Sequence, residues 1–121
     1  MISRDDVRRI ALSFPEATEG ELSFAVRDKG IAWYYTEKVP GKKGRTLHTD
    51  VLAVRVANLD AKEILLGIPG ETFFTDAHYN GYPAVLVRLA HIDEEELTEL
   101  LEQAWRIKAP KRIVAAFDAA P

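Results

Sequence analysis

No cysteine occurs in the 121 residues, which excludes disulfides, thiolate nucleophiles and cysteine-based zinc sites. No window approaches the roughly 18 to 20 continuous apolar residues of a membrane span. Positive charge is not in surplus either: 16 Lys and Arg against 19 Asp and Glu give a net −3. Proteins that coat polyanions draw most of their affinity from neutralising phosphates, and an acidic total argues against that class. It leaves room for a local basic face, because binding responds to where the charges lie. The opening residues Met1-Ile2-Ser3-Arg4-Asp5-Asp6 are charged and carry no apolar signal-peptide stretch. The expectation is a cytoplasmic protein with no membrane contact.

What is present is ordinary for a folded chain: 47% apolar and 29% charged residues. A chain of this length buries roughly two-thirds of the surface its unfolded form exposes, so residues 1–121 are read as one domain. No repeat or low-complexity tract divides it.

Taken in order, the chain predicts a first helix over residues 3–14, with Ser3 as cap and Val7, Ile10, Ala11 and Phe14 at helical spacing. Pro15 ends it, and residues 16–21 read as an acidic loop. Leu22, Phe24 and Val26 alternate with polar or small residues as one strand, and residues 31–36 return as a second. Asp28-Lys29-Gly30 is the expected turn, with Gly30 supplying positive φ. Residues 37–46 are rich in breakers and cations, and residues 47–56 form a third strand. Asn58 or Asp60 caps a short helix, and Gly67, Pro69 and Gly70 close it.

Phe73-Phe74 and Ala84 to Leu89 are predicted as a second hairpin, joined through Asn80-Gly81, with Pro83 at the start of its second arm. The last long helix is the clearest signal. Asp93 and Glu96 fit a capping box, and Ile92 and Leu97 a hydrophobic staple. Leu97, Leu100, Leu101, Ala104 and Trp105 form its apolar stripe. Residues 111–117 add a short final helix after Pro110. The order α-βββ-α-ββ-α, built on hairpins, predicts an α+β two-layer sandwich. Its antiparallel sheet has about five strands, with the N- and C-terminal helices on one face.

Several stretches resemble the small bacterial MmcQ/YjbR family. They are Ala11-Leu12-Ser13-Phe14-Pro15-Glu16-Ala17-Thr18-Glu19, Phe24 with Gly30-Ile31-Ala32, and Ile68-Pro69-Gly70 with Phe73-Phe74. His78-Tyr79-Asn80-Gly81-Tyr82-Pro83-Ala84-Val85-Leu86-Val87, residues 96–105 and Ala109-Pro110-Lys111-Arg112 complete the pattern, which spans almost the whole chain. The resemblance implies a frataxin-like or secretion-chaperone-like two-layer fold and the description attached to that family, DNA-binding protein. It carries no catalytic residue set. This chain departs from the family in its longer, basic loop from Lys38 to Arg45.

Two basic groups are candidates for contacting DNA: Lys38, Lys42, Lys43 and Arg45 on the loop, and Lys108, Lys111 and Arg112 at the end of the last helix. The first sits beside Trp33, Tyr34 and Tyr35, and cations with exposed aromatics suit single strands. The second is also explained by the helix dipole, and matters for binding only if the fold brings it beside the loop. The glutamates of the last helix would repel a phosphate backbone, so nucleic acid is expected on the opposite side. Asp76, His78, Tyr79 and Tyr82 form a further candidate group, as a structural turn or a ligand site.

A catalytic role for Asp76 and His78 needs a third group and a pocket. Neither a His-Glu-x-x-His spacing nor a nucleophile elbow exists, so neither a metal, a cofactor nor an enzyme is expected. Trp105 reads as core, and Trp33 is also assigned to the core. The reading favoured by the residues is a non-enzymatic domain with weak, sequence-independent DNA affinity. The alternatives are a protein–protein or small-ligand module using the sheet face, including a homodimer, and an enzyme centred on Asp76 and His78.

Overall fold

The computed structural model describes all residues from Met1 to Pro121. A six-stranded, wholly antiparallel sheet forms the centre, in the spatial order β1-β2-β3-β4-β6-β5. Helix α1 (Arg4–Ala11) starts at Ser3, whose hydroxyl accepts from the Asp6 N–H while the Asp6 carboxylate accepts from the Ser3 N–H. This reciprocal cap satisfies two orphan donors at once. The helix ends at Ala11, short of the predicted Phe14, because the Ser13 hydroxyl donates to the Ile10 carbonyl and Pro15 follows.

The predicted acidic loop contains a strand. Ala17–Glu19 is β1, paired with β2 (Ser23–Val26) at the sheet edge. The reversal from β2 into β3 (Lys29–Glu37) falls on Arg27 and Asp28, whose φ values are +50° and +65°. The glycine expected there, Gly30, lies inside β3 opposite Ala25. The pairing shifts between Phe24 and Ala25, so that Ile31 is an extra residue on β3. A bulge of this kind breaks strict alternation. Ile31, Ala32 and Tyr34 therefore reach the main core, while Trp33 and Tyr35 face the other way.

β4 (Thr46–Arg55) returns antiparallel to β3 after the loop of residues 38–45. Helix α2 (Leu59–Leu66) is capped by the Asn58 side chain, which accepts from the Ala61 N–H at 2.8 Å. β5 (Phe73–Phe74) and β6 (Ala84–Arg88) form the second hairpin, with β6 inserted between β4 and β5. Gly81 takes φ +76° in their connection, and Pro83 stands just before β6. A 3-10 turn at Leu89–His91 leads to α3 (Glu94–Lys108), where Asp93 accepts from the Glu96 N–H. Pro110 then starts α4 (Lys111–Ala119).

The main core lies between the helices and one sheet face, and combines Val7 and Ile10 of α1 with Leu97, Leu101 and Trp105 of α3. Trp105 is fully buried, stacks on Phe14 at 5.8 Å, and donates its indole N–H to the Pro15 carbonyl at 2.9 Å. The terminal helices thus cover one face of an α+β two-layer sandwich. No helix is long and apolar enough to cross a membrane.

Candidate functional site

The sheet face turned away from the helices carries its own aromatic cluster, with Tyr35, Val51, Ala53, Ala84 and Leu86 beneath Tyr79 and half-buried Trp33 and Phe74 beside them. The β5–β6 connection, residues 75–83, lies over this face and is tied down at several points. Asp76 holds the turn: its Oδ1 accepts from the Tyr79 N–H at 3.0 Å and its Oδ2 from the Tyr35 hydroxyl. The Trp33 indole donates to the Tyr79 hydroxyl at 2.9 Å. Lys62 of α2, only 3% exposed, donates its Nζ to the carbonyls of Tyr79 at 2.5 Å and Tyr82 at 2.9 Å. An ammonium can be buried at tolerable cost only when such acceptors replace water. Burial pushes the Lys62 pKa below its ordinary value.

The Tyr35–Asp76 pair is electrostatically one-sided. Burial, and then the neighbouring carboxylate, push the Tyr35 hydroxyl well above its ordinary pKa. For Asp76, burial acts upward, but it is outweighed by the Tyr35 hydroxyl and the N–H groups of Tyr79 and His78, so its pKa falls below normal. At neutral pH the pair is a phenol donating to a carboxylate.

Against this fixed segment lie two adjoining clefts. Trp33, His78, Tyr79 and Tyr82 line one of about 470 Å³. The rings of Trp33 and Tyr82 stand 6.3 Å apart at 69°, and Tyr82 is 40% exposed. Arg55 flanks both rings without lining the cleft, its guanidinium 5.4 Å from the Trp33 centroid and 5.3 Å from that of Tyr82. It is locked there by the Gly30 carbonyl at 3.1 Å and the Tyr82 hydroxyl at 2.8 Å.

The second cleft, of about 360 Å³, is lined by Glu37, Lys38, Arg45, Asp76, Ala77 and His78. His78 belongs to both. The fold therefore joins two groups that are far apart in sequence, the basic loop and the Asp76–Tyr82 segment. Lys38, Lys42, Lys43 and Arg45 are all exposed, and none is in an ion pair. Arg45 is held by an uncharged partner, Thr36, through its hydroxyl at 2.7 Å and its carbonyl at 2.5 Å. The acids in this cleft are already engaged, Glu37 with His48 at 2.9 Å and Asp76 with Tyr35.

The YjbR family model matches residues 12–107, most of the chain. The chain belongs to the MmcQ/YjbR family. It is 37% identical over 127 aligned residues to uncharacterised protein Rv2570 of Mycobacterium tuberculosis and to uncharacterised protein Mb2600 of Mycobacterium bovis. In each case the alignment covers 97% of this chain and 96% of the relative. No solved structure matches it. The span matched to the MmcQ/YjbR family contains both clefts and stops before Lys108, Lys111 and Arg112.

That second basic group is not beside the first. Arg112 is close enough to Glu16 for its charge to act on that carboxylate, and Glu16 also accepts from Arg27. Glu16 and Arg27 mark the end of the sheet where β1 begins and β2 turns into β3. The Lys38–Arg45 loop joins β3 to β4 at the opposite end, since Glu37 pairs with Thr46. Lys108, Lys111 and Arg112 therefore belong to the helix layer and to the other end of the molecule.

In this MmcQ/YjbR protein the side chains of Asp76 and His78 share no hydrogen bond. The Asp76 carboxylate is taken by Tyr35 and the Tyr79 N–H, while the exposed His78 ring packs edge-on against Tyr79 at 5.4 Å. No three His, Asp or Glu side chains converge where they could hold a metal ion.

Sequence reasoning missed Arg55 and Lys62 altogether, and named Trp33 and Tyr35 only as aromatics beside the basic loop. Trp33 was assigned to the core, and the Ile31 bulge explains the difference, because one extra residue upstream confuses which alternating positions face the helices. Arg55 carried a usable signal, a cation between the apolar neighbours Val54 and Val56 on a strand. Lys62 carried none, since a lysine on a short helix reads as ordinary, and Tyr35 stood out only as one of three aromatics beside the basic loop.

Proposed function

We propose that this protein is a small, non-enzymatic, cytoplasmic domain that binds nucleic acid weakly and without sequence preference, using the sheet face and the basic loop. The observation that carries the reading is the junction at His78 between unpaired cations and a ring-lined cleft in which Tyr82 and His78 are exposed. Cations left without carboxylate partners are free to exchange their counterions for phosphates. Rings with open faces offer stacking to any base. Acidic Glu94, Glu95, Glu96 and Glu99 of α3 are exposed on the helix layer, so phosphate is repelled from that side and favoured on this one. The MmcQ/YjbR membership is consistent with this reading and adds no residue roles.

The test is a fluorescence-anisotropy titration of a labelled mixed-sequence oligonucleotide at low and moderate salt. The expected result is an affinity that falls steeply with salt and changes little with sequence. Absence of binding at low salt overturns the reading.

A second reading, a protein–protein module, is favoured by an exposed apolar surface, although this lies at the α2–α3 boundary and not on the sheet face. Ile64 is 71% exposed, and it lines a shallow groove of about 280 Å³ with Leu65, Leu100 and Ile107. Contiguous exposed apolar surface marks contact sites. Self-association in light scattering supports this reading, and a strictly monomeric protein counts against its dimer form.

A further inference from the structure

We propose that the site takes single strands, seating one base in the cleft of Trp33, His78, Tyr79 and Tyr82 and the adjoining phosphate beside Lys38 and Arg45. The inference rests on the nucleic-acid reading and adds strand form, minimal ligand and the position of each part. Three features of the clefts carry it.

The first is ring geometry. Trp33 and Tyr82 meet at 69°, so a planar group stacked on one ring presents its edge to the other. Offset and edge-to-face contacts are the favoured aromatic arrangements. Bases inside a duplex have no free face, so a duplex brings only its backbone to this surface. An unpaired base enters.

The second is the hydrogen-bonding inventory. The Tyr79 hydroxyl accepts from the Trp33 indole, and the Tyr82 hydroxyl accepts from Arg55. A phenol that accepts still has its own proton to donate, and neither proton has an acceptor within the protein. Both hydroxyls belong to residues that line the ring cleft, and each keeps a proton to donate. Every nucleobase carries carbonyl or ring-nitrogen acceptors, so this arrangement holds a base without choosing among bases.

The third is adjacency. The two clefts share His78 as a wall, so an occupant of the ring cleft has its backbone next to Lys38 and Arg45. Arg45 is pre-set by Thr36 and needs no carboxylate to hold it in place. Glu37 and Asp76 line the same cleft and temper its attraction for phosphate. The combined ligand is therefore a short single strand, with a phosphorylated dinucleotide as the smallest unit that fills both clefts.

The experiment titrates the full chain with 5′-phosphorylated dithymidylate, and with a 15-mer single strand and its duplex by anisotropy, at low salt. Tryptophan emission is followed in parallel. Trp105 is fully buried and Trp33 lines the cleft, so a stacked base quenches Trp33 selectively. The expected results are saturable quenching by the dinucleotide that disappears in Trp33→Phe, and tighter binding of single strand than of duplex. Tyr82→Ala, with its folding verified by an unchanged urea midpoint, weakens single-strand binding by about 10-fold or more and duplex binding far less. Equal binding of the two strand forms with unchanged Trp33 emission overturns this inference and leaves the nucleic-acid reading standing. No binding of either form overturns both.

Discussion

The Nζ of Lys62 lies 2.5 Å from the carbonyl oxygen of Tyr79, linking helix α2 to the segment that covers the aromatic sheet face. The same ammonium bonds the Tyr82 carbonyl, so one side chain fixes the backbone beneath both tyrosines of the ring cleft. Each carbonyl also accepts a backbone N–H, Tyr79 from Tyr82 at 3.0 Å and Tyr82 from Ala84 at 2.8 Å, so removing the ammonium takes away two charge-assisted bonds and leaves the turn its backbone ones. Lys62→Met is expected to lower stability by about 1–3 kcal/mol, the scale of losing hydrogen bonds to a charged group. Urea unfolding measures it. A change below about 0.5 kcal/mol, the scale of an ordinary surface substitution, contradicts the clamp.

The Tyr35–Asp76 hydrogen bond predicts a pH window. Asp76 titrates below its ordinary 3.8 when folded, so its contribution is present above that pH and is lost as pH falls through the folded value. Tyr35 titrates above its ordinary 10.0 when folded, so its contribution is present below that pH and is lost as pH rises beyond it. The difference in Tm between wild type and Tyr35→Phe should be largest between these limits and shrink at both ends. A difference independent of pH contradicts the pairing.

The β2–β3 turn places two non-glycine residues, Arg27 and Asp28, at positive φ. That backbone region costs L-residues about 1 kcal/mol or more, and hairpin turns with both central residues there favour glycine second. Asp28→Gly is expected to raise stability by up to about 1 kcal/mol, read from the urea midpoint at unchanged m-value. Arg27 is better left in place, since its guanidinium holds Glu16.

Trp105 joins α3 to the residues that follow α1, through its stack on Phe14 and its bond to the Pro15 carbonyl. Trp105→Ala opens a large cavity and orphans that carbonyl, and is expected to cost about 3–5 kcal/mol. Trp33→Phe, on the other face and half-buried, should cost far less. Parallel denaturation curves separate a core tryptophan from a site tryptophan.

These contrasts also show what the sequence could convey. Helix α3 was legible because cap, stripe and terminal charges agree, from Asp93 to Lys108. β1 was not, because Ala17-Thr18-Glu19 is short and polar and is held at the sheet edge by backbone pairing with β2. The hairpin over residues 73–88 was legible from its apolar arms and Asn80-Gly81. That its connection folds back over the far sheet face depends on Tyr35 and Trp33 of β3 and Lys62 of α2 bonding Asp76 and Tyr79, and no local pattern encodes such a meeting. The basic loop announced itself by composition. Its junction with His78 required the tertiary structure.

Two basic groups lie at opposite ends of the molecule, and comparing them shows which end meets nucleic acid. Two charge-neutralised variants are titrated against a labelled single strand at several salt concentrations. One carries Lys42→Gln, Lys43→Gln and Arg45→Gln, and the other Lys108→Gln, Lys111→Gln and Arg112→Gln. The predicted result is that the loop variant binds about 10-fold or more weaker, with a salt slope shallower by roughly 2, while the second binds like wild type. Equal losses, or a loss confined to the second variant, would contradict the assignment of binding to the sheet face.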